Sequence, residues 1–339
     1  MSVLGICFIG NGSHADRIKK IISNIGHNIK LIEHDRTLDL DRQTDVLNSD
    51  IIFITSPNNT HIDYIKPLSM IYDGYVYCEK PPINKVEDLE IFDLINPSKF
   101  FFGFNYRFSE IQKFILQTKE KCDLGELINI NVHVSYPYSV KEHYKYSWKS
   151  DIEKSPIGVI ENLGIHYLDL SVTLLGAVKE VFLNSTNINK TGTSDDTASI
   201  SLLHENSSTS QIFVSYATLS REDMYFAFER GDINYNGSEL NAYYPRETFN
   251  NEGLSICPPV VLSKSISGEL LGSRSFRNCI FFFIIIVSSI DFFNHDLLIK
   301  SRISTLAMLG KVENWFMGET TVMLKNETAI HLKSFYKVK

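Results

Sequence analysis

Gly10-Asn11-Gly12-Ser13-His14-Ala15 has the residue types and spacing of a turn that binds an anion through its backbone. Glycine at 10 permits a tight turn, and glycine at 12 lets the chain approach a pyrophosphate. The free N–H groups that open a following helix then face the negative charge. Asp35, or in its place Glu33, stands about 20 residues further on, where an acid accepts hydrogen bonds from the adenosine ribose. Such an acid repels a 2′-phosphate and favours NAD over NADP. Arg36 beside it is the type of residue that accommodates that phosphate, so NADP is not excluded. The glycine spacing alone fits an ordinary loop as well, and only its setting between a strand and a helix selects the dinucleotide.

The flanking residues supply that setting. Val3 to Ile9 is a short apolar run with strand character, and Ile18, Ile21, Ile22 and Ile25 recur at the spacing of an amphipathic helix. Gly26 stands where a C-cap would, and Asn28 to Glu33 reads as a second strand. Asp50 to Thr55 is Ile-rich on both faces, as in a parallel strand covered by helices, and ends in Ser56-Pro57-Asn58-Asn59-Thr60-His61. Tyr75 to Cys78 ends in Glu79-Lys80-Pro81-Pro82, and Phe100 to Phe104 in Asn105-Tyr106-Arg107-Phe108. Polar residues thus follow strand C-terminal ends three times, and that edge of a doubly wound sheet is where a ligand lies. Thr55, Ser56, Pro57, His61, Glu79 and Lys80 are therefore expected beside the cofactor.

Past residue 122 the period becomes two. Ile128, Ile130, Val132 and Val134 alternate with polar residues, as do Ala198, Ile200 and Leu202, and Ile212, Val214 and Tyr216. The expected fold class is α/β: a Rossmann doubly wound parallel sheet over residues 1–122, then an α+β domain with a large, mostly antiparallel open sheet over 123–339.

Length and composition agree with two globular units. The chain has 339 residues, 43% hydrophobic and 22% charged, and a net charge of −7 that argues against a nucleic-acid partner. Five scattered cysteines form no CxxC pair, so neither a disulfide framework nor a metal site is expected. MSVLGICFIG lacks a basic leader, which points to a cytoplasmic protein. The apolar run from Cys279 to Val287, extended by Ile290, Phe292 and Phe293, is bounded by Arg274, Arg277 and Asp291. It falls short of the roughly 18–20 residues a bilayer requires. A buried element is expected there, helix or strand being undecided, and no membrane partner.

GNGSHA, TSPNNTH, EKPP and NYRF, in this order, resemble the glucose-fructose oxidoreductase and inositol dehydrogenase family (Gfo/Idh/MocA), and the likeness runs over most of the chain. By that resemblance Lys80 lies beside the nicotinamide and is catalytic, with Glu79 and Pro81 shaping the turn. The run Gly158 to Leu170 resembles the family's D-x-G-x-H segment, in which the histidine and the acid face the substrate carbon. His166 matches; Asn162 stands at the acidic position, where an amide can hydrogen-bond a hydroxyl but cannot relay a proton at neutral pH. His166 would then take the hydroxyl proton while the Lys80 ammonium stabilises the developing oxyanion. Without the resemblance, His166 reads as a core histidine and Glu-Lys-Pro-Pro as a solvated turn. The resemblance also implies a homodimer or homotetramer formed through the open sheet.

Substrate-binding candidates are Arg107, Tyr138, Trp148, Asn162 and His166. Tyr136, Tyr138, Tyr144, Tyr146 and Trp148, interleaved with Lys141, His143 and Lys145, suit a sugar or phosphate, or equally a surface loop with anchoring rings. The expected activity is hydride exchange between NAD(P) and a secondary alcohol or ketone of a sugar, cyclitol or nucleotide-sugar, most narrowly a nucleotide-sugar 3-dehydrogenase. A keto-sugar or imine reductase, an NAD-using glycosidase and a non-catalytic sugar sensor are the alternatives.

Overall fold

The computed structural model describes residues 4–24, 29–266 and 271–287. The apolar runs of the N-terminal third form a parallel sheet of β1 (Leu4–Ile9), β2 (Ile29–Glu33), β3 (Ile51–Ile54), β4 (Tyr75–Cys78) and β5 (Phe100–Phe102), in the order β2-β1-β3-β4-β5. All four residues of β3 are fully buried, because both faces of the sheet are covered. On one face Cys7, Ile9, Ile52, Ile54, Val76 and Cys78 share a core with Ile65 and Leu68 of α3 (His61–Ile71). The short helices α2 (Thr44–Leu47) and α4 (Ile91–Leu94) add Val46, Ile91 and Phe92 to that core.

The opposite face receives α1 (Ser13–Ser23), which buries Ala15, Ile18 and Ile22. This helix has its C-cap at Asn24; Ile25 and Gly26, the expected end of its stripe and its cap, lie outside the described residues. The rest of that face is covered by α7 (Leu271–Val287). The apolar run from Cys279 is thus helical, and with Phe276 it sets Cys279, Ile280 and Phe283 on Ile6, Phe8, Phe53, Tyr77 and Phe101. The Phe283 ring meets Phe53 edge-on at 5.5 Å and lies 5.3 Å from both Tyr77 and Phe101. Each large side chain buried there contributes roughly 1.5–3 kcal/mol. The chain therefore leaves the first sheet after β5, builds a second unit, and comes back to close the first. Ile290, Phe292 and Phe293 lie outside the described residues, among which no helix is long and apolar enough to cross a membrane.

The period-two segments form an eight-stranded sheet: β6 (Leu127–Ser135), β7 (Val178–Thr186), β8 (Thr197–His204), β9 (Thr209–Ser215), β10 (Arg221–Phe228), β11 (Asp232–Tyr235), β12 (Glu239–Tyr243) and β13 (Val260–Ser265). Its order is β13-β12-β11-β10-β6-β9-β8-β7, antiparallel except where β6 and β9 run side by side. Ile130, Val132 and Val134 face inward as their alternation requires, together with Ile200, Ile212 and Val214. They pack against Ile165, Leu168 and Leu170 of α6 (Ile165–Leu175). Ile128 departs from the pattern and is exposed, because the register slips between Ala227 and Phe228 of β10 and leaves residue 128 without a partner. The outer face carries Asn131, His133, Gln211, Phe213, Tyr225 and Asn234. α5 (Glu110–Lys119) leads from the first sheet into the second.

Candidate active site

The glycine turn at the end of β1 is shaped by its neighbours. Gly10 has φ +100°, and a Cβ there would lie 2.6–2.8 Å from backbone atoms of Thr55 and Ser56. The Thr55 hydroxyl donates to the Gly10 carbonyl at 2.7 Å, and the Thr55 N–H to that of Ile9 at 2.8 Å, so β3 holds the turn from beneath. Gly10 is thus demanded by the close passage of two chain segments. Gly12 differs: a Cβ there would meet nothing within 4 Å. Asn11, Gly12 and Ser13 are exposed, and no side chain caps the N-terminus of α1, whose first N–H groups are left for an incoming ligand. The two glycines therefore separate by measurement. Gly10→Ala is expected to cost at least about 1–3 kcal/mol in denaturant unfolding. Gly12→Val should unfold like the wild type yet lose NAD affinity by tenfold or more in calorimetric titration.

Asp35 is exposed just beyond β2. One carboxylate oxygen accepts from the Thr37 N–H at 2.8 Å and its hydroxyl at 2.7 Å, contacts that hold the carboxyl below its ordinary pKa. A hollow lined by His34, Arg36, Leu38, Tyr64 and Pro67 opens beside it.

Around the loops after β3 and β4 the expected cofactor contacts divide. Ser56 and Pro57 stay at the surface of the crevice, and the Ser56 hydroxyl accepts from Thr60 at 2.8 Å. His61 does not reach the crevice. It is fully buried, with Nδ1 2.7 Å from the Pro81 carbonyl and Nε2 2.9 Å from that of Ser56. Burial lowers its pKa against the pull of the two carbonyls. It acts as a brace that fixes the Ser56 and Pro81 loops relative to each other. Glu79 is buried as well, 2.9 Å from His14 Nε2 and within 3.1 Å of the Tyr77 hydroxyl. Burial works to raise its pKa, but His14, Lys80 and Tyr77 together outweigh that and lower it, so the carboxylate is charged.

Lys80 stands at the junction of the two units, and its Nζ donates to the Asn162 carbonyl at 2.7 Å. Burial brings its pKa down to about 8, with Lys149 acting in the same sense and Glu79 and Glu161 opposing. The segment it meets is a π-helical turn, Ile160–Gly164, that runs into α6. Residues 160 to 164 follow a wider spiral than an α-helix, in which Glu161 and Asn162 are both buried. The Asn162 side chain donates to the Ser155 hydroxyl and the Gly158 carbonyl, each at 2.9 Å, so both of its N–H bonds are spent within the fold and only its oxygen is left for another partner. His166 is half-buried with its ring 5.6 Å from Tyr106, and its Nδ1 has no hydrogen-bond partner. Burial and the charges of Lys80, His14 and Lys149 hold its pKa well below the ordinary value, which leaves a neutral imidazole.

Of the remaining candidates, Arg107 points away from the crevice. It is only 8% exposed, and its Nε lies 2.9 Å from an oxygen of Asp169 on α6 while a second nitrogen closes a two-point pair. It holds the turn after β5 to the second unit, with Tyr106 beside it bonded to Glu222 at 2.9 Å and Tyr167 at 3.1 Å. In the aromatic segment, Tyr144 is core and Tyr146 is 81% exposed, while Tyr138 and Trp148 are half-buried. Lys149, which carried no signal in the sequence beyond lying next to Trp148, sits 5.6 Å from the Tyr138 ring and 5.7 Å from that of Trp148. Burial lowers its pKa, and its charge is felt at Lys80 and His166. Among the described residues no carboxylate forms an ion pair with it, and no group of His, Cys, Asp and Glu could hold a metal.

Known proteins share this fold. Residues 117–234 match the GFO/IDH/MocA C-terminal domain. D-apiose dehydrogenase of Paraburkholderia graminis is 29% identical over 120 residues, 33% of this chain and 31% of its own length, so the match spans about a third of that curated relative. Among solved structures, an oxidoreductase from Thermotoga maritima superposes with a TM-score of 0.71 at 14% identity, covering 91% of this chain and 95% of that one. Levoglucosan dehydrogenase, in complex with NADH and levoglucosan, gives 0.70 at 14% identity over the same shares. An oxidoreductase from Agrobacterium radiobacter, in complex with NAD+, L-tartaric acid and magnesium, gives 0.68 at 16% identity, covering 91% and 95%. The chain thus has the two-unit fold of these oxidoreductases, and its second unit matches the model of the GFO/IDH/MocA C-terminal domain, in agreement with the resemblance read from its motifs.

Proposed function

We propose that this protein is a nicotinamide-dependent oxidoreductase acting on a secondary alcohol or ketone of a sugar-like molecule, with NAD as its cofactor. The observation that carries the reading is the meeting of Lys80 and the His166 segment at the mouth of the glycine turn, where a charged amine and a neutral imidazole come from different units. The residues fit the cofactor: Gly12 borders open space, the α1 N-terminus is uncapped, and the Asp35 carboxylate stands beyond β2 next to the hollow around Arg36 and Tyr64. Pyrophosphate would lie on residues 10–14 and the adenosine ribose on Asp35. The nicotinamide, when bound, supplies the acceptor or donor of a hydride. The chain supplies the rest. His166 accepts the hydroxyl proton, and the Lys80 ammonium stabilises the negative charge that develops on oxygen.

Dehydrogenases of D-apiose and levoglucosan are among the similar proteins, which supports a sugar-like substrate for this chain. Within that class the narrower proposal is a nucleotide-linked sugar oxidised at C3. Asn162 in place of an acid favours it, and Lys149 between Tyr138 and Trp148 offers a cation for its phosphates. The test is absorbance in the reduced-nicotinamide band with inositols, free sugars and nucleotide-sugars, each with NAD or NADP. A signal with nucleotide-sugars whose KM rises about tenfold in Lys149→Met, kcat being kept, is the expected outcome. A signal confined to neutral sugars and indifferent to Lys149 would remove the narrower substrate. Silence throughout, with NAD binding intact, would turn the search to keto-sugar reduction. The open outer face of the second sheet is the proposed surface for a homodimer or homotetramer, which light scattering would contradict by a concentration-independent monomer.

A further inference from the structure

Glu161 has no exposed surface, and neither of its carboxylate oxygens makes a well-formed hydrogen bond among the described residues, although Ser155, Asn84 and the Ile157 backbone lie close enough to favour its charged form. A carboxylate so placed is strongly unfavourable unless a counter-charge offsets its lost hydration. The groups that face it come from four directions. Lys80 approaches from the turn after β4, and Asn84, whose own Nδ2 is buried without a partner, from the loop beyond it. Ser155 and the Ile157 backbone lie on the segment entering the π turn, and Tyr216 follows β9. Behind Lys80 stand two more basic groups, Lys149 and His166. Lys80 is therefore the cation nearest to hand, already held by the carbonyl of the next residue, Asn162. The π turn produces this: its extra residue per turn brings both position 161 and position 162 to the inner side of the helix start.

We propose that Glu161 is a positioning carboxylate of this site, a second counter-charge that acts with Glu79 to keep the Lys80 amine protonated in a buried setting, a part that the Asn162 amide cannot play. The proposal rests on the reading of Lys80 as the group that stabilises the substrate oxygen, but its test needs neither substrate nor cofactor. Burial brings the carboxyl up to about 7 and the amine down to about 8, so near neutral pH each is sensitive to the charge of the other.

The experiment follows the rate at which an amine-selective acylating reagent modifies Lys80 as pH is varied, read by mass spectrometry of the peptide that contains it. Lys80→Met identifies the signal. In Glu161→Gln the midpoint is expected to move down, so that at pH 7 Lys80 reacts about 3-fold faster or more than in the wild type. Glu161→Asp, which keeps the charge, should restore most of the wild-type curve. A Gln variant with native circular dichroism and an unmoved Lys80 curve overturns the proposal, as does an Asp variant that behaves like Gln. The reciprocal arm serves if Glu161→Gln does not fold. In Lys80→Met, the Glu161 carboxyl, followed by its protonated C=O band in difference infrared spectra, should titrate at higher pH, because binding linkage runs equally both ways. An unmoved band overturns the proposal. If both titrations shift and no alcohol or ketone is ever turned over, the oxidoreductase reading falls and the pairing of Glu161 with Lys80 stands.

Discussion

Lys80→Met and His166→Ala should each lower turnover by about 10²–10⁴ while NAD binding stays close to that of the wild type. The separation follows from where the residues sit. Cofactor affinity is assigned to the 10–14 turn and Asp35, all on the first sheet. Lys80 reaches the segment that carries His166 at the junction with the second unit, through its 2.7 Å bond to the Asn162 carbonyl. Methionine keeps the length and apolar packing of the lysine stem while removing the charge and the bond to the Asn162 carbonyl, so the turn keeps its support. A pH profile adds a sign. The His166 imidazole is neutral throughout the working range, whereas the Lys80 ammonium is present below about 8 and lost above it. Alcohol oxidation is therefore expected to decline as pH rises through about 8, and Lys80→Met should lack that alkaline limb. Steady-state kinetics beside calorimetric titration of NAD provide the check. An active wild type with either variant unimpaired would strike that residue from the mechanism.

The second large effect concerns stability. Asp169→Asn should destabilise the protein by about 3–5 kcal/mol, because it removes the carboxylate that holds the buried Arg107 guanidinium in a two-point pair. The pair is almost completely enclosed, with side-chain exposures of 5% and 1%, so water cannot substitute for the lost carboxylate. Arg107→Met combined with Asp169→Leu removes both charges and should recover most of the loss. Urea unfolding of the three variants measures this. A loss under about 1 kcal/mol for Asp169→Asn would mean that water reaches the guanidinium, and would reopen a substrate role for Arg107.

The first sheet was legible because a parallel strand covered on both faces is apolar throughout, and Ile51-Ile52-Phe53-Ile54 could hardly be anything else. The second was legible through its alternation, with Ile128 misread where a register slip interrupts the period. Whether the run from Cys279 was helix or strand could not be read, since an element apolar on all sides carries no periodicity. In the site, the motifs marked the loops but not the aim of each side chain. His61 and Arg107 belong to motif segments and were expected at the ligand. Both face inward, one bracing two loops and the other paired with Asp169 across the unit boundary. Glu161 and Lys149 were passed over for complementary reasons. The first is marked by no helical or strand period and is brought inward by a π turn; the second became significant only through the two rings beside it and the absence, among the described residues, of a carboxylate paired with it.

The return of α7 to the first sheet has a consequence for the order in which the protein is made. Residues Ile6, Phe8, Phe53, Tyr77 and Phe101 emerge during synthesis well before Phe276 and Phe283, the side chains that cover them. At 5–20 residues per second that interval is on the order of ten seconds or more. During it, the part of that apolar face which α1 does not cover stands open to the ribosome's surroundings. A nascent chain in that condition is a natural client for a hydrophobic-binding chaperone. A fragment ending near residue 122 keeps that part of the face bare for good, so the parallel-sheet unit of this chain is not a piece that can be cut out near residue 122.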